Sequence, residues 1–289
     1  MGIRLATTLF LFAAGLPASS PSTGIPEVKR AHALYWHTEY HESLLVLLPL
    51  ATKDAAALRL IGQNYFMLGD YRKATEPLEK AAALAPDDPE TALWLGRTYG
   101  RRAETSGPFN APGWAAKAHQ MLEMAVALRP QDREAIGDLF DYYLSAPGFL
   151  GGGESKARVL AAQVALHDPA EGHYYHALLD ERHHHYEAAE EHFRAAVELA
   201  PDEPLRVMDL AKFLATRGRV EESEELFDRA ERLSPNQPRI WFERASAYVR
   251  ERRKMPEARR LLERYMQAPL TPNDPPRRQA EVLLKKLGA

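Results

Sequence analysis

The sequence predicts an all-α fold, a solenoid made by stacking antiparallel helix pairs. Three observations carry that expectation. Gly62, Tyr65, Ala74, Leu78, Ala81 and Pro86 set a pattern of small, large and turn residues, which Gly96 and Tyr99 resume 34 residues later. Prolines follow successive helical runs along the chain, at Pro86, Pro130, Pro169, Pro201 and Pro235. Finally, 45% hydrophobic and 27% charged residues over 289 positions supply a sizeable core, while strand-like Val/Ile alternation is scarce.

The spacing has a physical reason. Small residues such as Gly62, Ala74 and Ala81 let two helices approach closely, and Tyr65 and Leu78 fill the volume between them. A proline just past the second helix cannot continue the hydrogen-bond ladder. One pair buries only part of its apolar surface, so it requires neighbours.

Taken in order, the first unit (27–54) is degenerate, with Ala31, Leu34, Tyr40 and Leu47 at matching offsets. Units at 55–88, 89–132, 133–169, 170–202 and 203–237 end on the five prolines, mostly with Asp, Asn or Gln nearby to begin the next helix. The last unit (238–270) runs from Pro238 through Trp241, Ala245 and Tyr248 to Ala258, Leu262 and Tyr265. After the breaker TPNDPP, residues 274–289 are expected to form a capping helix, RRQAEVLLKKL, with Lys and Arg on its outer side. The expectation is thus a solenoid over 27–270, about seven pairs, closed by this cap.

The order Gly, aromatic, Ala, Leu, Ala, Pro at this period resembles the tetratricopeptide repeat family. The resemblance implies a right-handed α-solenoid whose concave groove is lined mainly by the first helix of each pair. Carried onto this chain, groove positions include Tyr35, Arg59, Gln63, Phe66, Arg97, Arg101, Tyr174 and Lys212. Their aromatic and cationic character, with Arg97 and Arg101 one turn apart, suits an extended peptide bearing an acidic group. Glu90 stands where chaperone-tail-binding members carry a cation, so their carboxylate clamp is not carried over.

The N-terminus reads separately. A short basic start ending at Arg4 precedes the apolar run Leu5 to Leu16, and Leu16-Pro17-Ala18 leads into a Ser/Pro-rich stretch. This is the pattern of a cleavable signal peptide (1–18) followed by a flexible tether (19–26). Its twelve apolar residues fall short of the ~20 needed to span a bilayer, and no later segment is apolar enough. With no cysteine there is no disulfide framework and no lipid-attachment site. An exported, periplasmic protein is expected, with the alternative that the signal is retained as an anchor.

Departures from the repeat mark candidate sites. Tyr65 and Ala74 are nine residues apart, but Tyr99 and Ala118 are nineteen apart and Tyr143 and Ala157 fourteen. The inserted stretches RRAETSGPFNAPGW and SAPGFLGGGESK are expected as neighbouring loops on one edge of the stack. Both contain Ala-Pro-Gly before a large apolar residue, which suggests type II turns at Ala111-Pro112-Gly113 and Ala146-Pro147-Gly148. Phe109, Trp114, Phe149, Leu150 and Gly151 are the partner-binding candidates, unless the aromatics tuck back to seat the loops. GFLGGGESK lacks both the Lys placement and the preceding strand of a phosphate loop.

A second departure is the concentration of His167, His173, His176, His183, His184, His185 and His192. His173, His176 and Asp180 share one helix face, a possible Zn or Fe(II) set. The competing reading is a hydrogen-bonded polar patch, or a rotated helix with Tyr175, Leu178 and Leu179 inward.

No catalytic constellation is present: there is no cysteine nucleophile, and no serine lies in an elbow context. A net charge of −3 with interspersed signs does not favour nucleic acid. Two functional classes remain: a non-enzymatic scaffold of the cell envelope that holds a protein or peptide without a cofactor, or a small-ligand or metal-binding protein using the His-rich unit or the Gly-rich loop. The oligomeric state is left open.

Overall fold

The structure, a computed structural model, describes residues 26–50 and 54–288. Fifteen α-helices and no strand occur among the described residues. They form seven antiparallel pairs: α1 (Pro26–Trp36) with α2 (Tyr40–Leu47), α3 (Ala55–Met67) with α4 (Tyr71–Leu84), and α5 (Pro89–Thr105) with α6 (Ala111–Leu128). These are followed by α7 (Arg133–Ser145) with α8 (Glu154–Ala165), α9 (Pro169–Arg182) with α10 (Tyr186–Leu199), α11 (Pro204–Thr216) with α12 (Val220–Leu233), and α13 (Pro238–Glu251) with α14 (Met255–Gln267). A last helix, α15 (Arg277–Leu287), packs on α13 and α14 through fully buried Ala280. The expected signal peptide and all of the expected tether except Pro26, which opens α1, lie outside the described residues.

Local chemistry explains the helix starts. Asp54, Asp88, Asp132 and Asp168 each accept backbone N–H groups of the first turn that would otherwise lack a partner. Pro89, Pro169, Pro204 and Pro238 sit in first turns, where the missing N–H is not needed. This corrects one sequence expectation: Pro169 opens α9, whereas Pro86, Pro130, Pro201 and Pro235 lie in the linkers after α4, α6, α10 and α12.

Pairs close through small residues. A Cβ on Gly62 would come within 2.3 Å of Leu78 Cγ, and one on Gly96 within 2.7 Å of Leu122. Ser43 and Ser223 occupy the position held by Ala74, and each donates to the carbonyl of the small residue opposite, Ala31 or Ala211, at 2.8 and 2.9 Å. The stack is continuous because one helix serves two cores: on α9, Tyr175 and Leu179 pack with α5 to α8, while Ala177 packs with α10 to α13.

Candidate functional site

The insertion in the third pair lengthens helices more than it builds a loop. Arg101 to Thr105 continue α5, and Ala111 to Trp114 form the first turn of α6, leaving only residues 106–110 as a connection. Ala111-Pro112-Gly113 is therefore helical, not a type II turn, because proline is at ease in a first turn. In the fourth pair, Pro147 is extended and Gly148–Leu150 form a 3-10 turn, so the second type II turn is absent as well. Glycine is required just afterwards. Gly151 has φ +88°, Gly153 has φ +129°, and a Cβ on Gly152 would come within 1.9 Å of the Ala146 carbonyl oxygen.

The second connection is tied to α6 by a residue not singled out in the sequence. The Tyr142 hydroxyl lies 2.9 Å from the Ala115 carbonyl on α6 and 2.7 Å from the Leu150 carbonyl, and shares its proton between them. His119 stacks on the Tyr142 ring at 5.2 Å and sits beneath Gly151. On this support the aromatic candidates divide. Trp114 stacks on Tyr99 at 5.6 Å under the Arg102 guanidinium, 3.5 Å from its ring centre, and is half-buried. Leu150 is half-buried too. Phe109 and Phe149 are 98% and 83% exposed.

On the first helices of the pairs, cations are matched by carboxylates of the following unit. Arg59 pairs with Asp88 and Glu90, Arg97 with Asp138 and Glu134, and Lys212 with Glu243 at 3.2 Å. Gln63 donates to Glu90 at 3.0 Å, Phe66 packs edge-on to Trp94, and Tyr174 lies under the Arg206 guanidinium at 3.8 Å. Tyr35 is buried. Arg101 does not join Arg97: it is exposed and engages Glu104 and the Tyr71 hydroxyl. Neutralised in this way, these cations do not favour the acidic peptide that the sequence suggested. Burial pushes the Asp209 carboxyl up to about 6 despite Arg206, Lys212 and Arg239.

His173, His176 and Asp180 do not converge on one point. His173 Nδ1 meets His192 Nδ1 of α10 at 2.8 Å, the His176 ring stacks on His192 at 5.3 Å, and Asp180 lies 3.7 Å from both His185 and His192. His192 was missed as a partner because its contact crosses to the second helix of the pair. Among the described residues, no group of three or more His, Asp or Glu is arranged to hold a metal ion. Among them also, no helix is long and apolar enough to cross a membrane.

Residues 174–238 match the tetratricopeptide repeat family model. A tetratricopeptide repeat protein from Parabacteroides merdae superposes with a TM-score of 0.54 at 12% identity, covering 91% of this chain and 98% of that one. A human IFIT1 dimer structure with PPP-AAAA gives a TM-score of 0.50 at 18% identity, covering 90% of this chain and 62% of that one. No curated protein sequence matches the chain. The pairing of helices, the small-residue contacts and the family match agree: the chain is a tetratricopeptide-like helical repeat protein, an all-α solenoid.

Proposed function

We propose that the chain is a non-enzymatic scaffold of the cell envelope that holds a protein partner on the rim formed by residues 106–110 and 146–153, beside the concave groove. Repeat proteins of this type bind protein partners. The observation that carries the rim assignment is the exposure of Phe109 and Phe149 on adjacent units, above a framework fixed by Tyr142. Aromatic side chains presented on rigid backbone lose little entropy on binding and are effective anchors. The envelope location rests on the apolar run Leu5 to Leu16 and its small-residue exit at Ala18.

The test is in-cell crosslinking and affinity capture of the mature protein beside a Phe109→Ala/Phe149→Ala variant, with folding checked by circular dichroism. A partner captured by the parent and lost by the folded variant is the expected result. A partner retained by both moves the site to the groove, and no partner for either removes the scaffold reading.

A further inference from the structure

The two ends of the solenoid meet. Arg277, the first residue of α15, donates from Nη2 to the Ala268 carbonyl at 2.9 Å and from Nε to the Met266 carbonyl at 3.4 Å, covering the carbonyl end of α14. Its Nη1 donates to Thr38 Oγ1 at 2.9 Å, in the turn between α1 and α2. Tyr40, two residues further on, is pushed up to about 12 by burial, with Arg277 and Asp274 of the far end among the charges that act on it. The contact therefore joins the first hairpin to the last helix.

Thr38 is also the wrong residue for its backbone. Outside the third and fourth pairs, the turns between the paired helices repeat one design, in which a residue with positive φ is followed by an N–H that reaches back to the preceding helix. Asp70 donates to Tyr65 O at 2.9 Å after Gly69 (φ +79°), and Arg219 donates to Leu214 O at 3.0 Å after Gly218 (φ +74°). In the first hairpin Glu39 donates to Leu34 O at 2.9 Å, but the positive-φ residue is Thr38 at +61°. A β-branched side chain is strained there, and glycine would relieve it. His184, at φ +61°, and Arg252, at φ +52°, are the other non-glycine cases of this design; the His184 ring is engaged by the Tyr186 hydroxyl at 2.6 Å, but neither residue is β-branched. At Thr38 the strained side chain carries the hydroxyl that Arg277 reaches. Strain retained at a contact is a reason to ask what that contact does.

We propose that Thr38 and Arg277 form a latch that closes the solenoid into a ring and so limits access to its concave surface. Among the described residues the latch is the hydrogen bond from Arg277 to Thr38, and Arg277 is held independently by the α14 carbonyls, so the bond can open without disturbing either terminal pair. A partner entering the groove from the side would have to release it.

The cysteine-free chain permits a direct test. Spin labels are placed on exposed His37→Cys and Glu281→Cys, and the distance between them is read by pulsed electron–electron resonance in the parent, in Thr38→Gly and in Arg277→Ala. The latch predicts one short, narrow distance in the parent and a longer, broader distribution in both variants, with thermal stability of Thr38→Gly unchanged or higher. A broad or long distance in the parent overturns it. So does a short distance that survives in either variant, because Thr38→Gly removes the hydroxyl without touching the α14 cap and Arg277→Ala removes its donor.

Discussion

His173 Nδ1 on α9 and His192 Nδ1 on α10 lie 2.8 Å apart, so these two imidazoles share one proton at most without repulsion. His176 stacks on the same His192 ring at 5.3 Å. Burial first, then His192, pushes His173 below its ordinary value of 6.5; burial, then His192 and His173, pushes His176 the same way against the opposing pull of Asp180. Arg158, from α8, adds to the depression of His176, and the Glu154 carboxylate is engaged by Arg158 and His183.

The pH dependence follows from those directions. The folded state resists protonation at His173 and His176, so below pH 6.5 the unfolded chain binds more protons. The stability they contribute is complete above the unfolded pKa and is lost as pH falls toward the folded values. The thermal midpoint of the helical signal should drop between about pH 7.5 and about pH 5.5, and His173→Leu/His176→Ile should flatten that slope. A parent midpoint that does not move over this range would show that the cluster does not sense pH.

Gly96 and Gly100 lie one turn apart on α5 and should respond oppositely to alanine. A Cβ at Gly96 would overlap the Leu122 side chain at 2.7 Å, whereas one at Gly100 meets nothing within 4 Å. Gly96→Ala should cost about 1–3 kcal/mol through overpacking. Gly100→Ala should stabilise by up to ~1 kcal/mol through helix propensity and a less flexible unfolded chain. Denaturant unfolding of the two variants measures both, and equal effects would mean that close approach of α5 and α6 is not what selects glycine.

This contrast shows why the architecture was legible and the site less so. Gly62 and Gly96 contact Leu78 and Leu122 through a local register that repeats along the chain, so spacing reveals it. Pro169 was ambiguous, because proline can follow a helix or open one and only the N-cap at Asp168 decides. Arg101 to Thr105 carry good helix formers and extend α5, where an excess of residues over the repeat suggested a loop. The neutralisation of Arg97 by Asp138 spans 41 positions and belongs to unit-to-unit stacking, which no local pattern encodes.

The divided roles of the rim aromatics give a third prediction. Trp114 fills space between Tyr99 and Arg102, while Phe109 and Phe149 contribute little to packing. Trp114→Ala should cost about 2–3 kcal/mol, at the low end for aromatic truncation because the ring is half-buried. Phe109→Ala and Phe149→Ala should each stay within about 0.5 kcal/mol of the parent. Urea unfolding separates these cases, and a large loss at either phenylalanine would assign it to loop seating instead of recognition.

Glu224 on α12 gathers the last pair around one carboxylate. It accepts from the Tyr248 hydroxyl at 2.7 Å, Arg244 at 2.5 Å and Arg253, with the Lys254 ammonium at 3.2 Å. Burial alone would raise its pKa, but the hydrogen bonds from Tyr248, Arg253 and Arg244 outweigh that and hold it at about 2, below its ordinary 4.5. A depressed carboxyl contributes stability that is complete above its unfolded pKa and is lost as pH falls from 4.5 toward 2. Arg252 and Lys254 both have positive φ, at +52° and +47°, so the same carboxylate also holds down a strained turn. Glu224→Gln should therefore cost roughly 2–3 kcal/mol in urea unfolding at neutral pH, and the gap from the parent should narrow as pH falls below 4.5 and be smallest near pH 2, where the native carboxyl protonates. A gap that stays constant with pH would mean that the charge of Glu224 contributes nothing and only its shape is used.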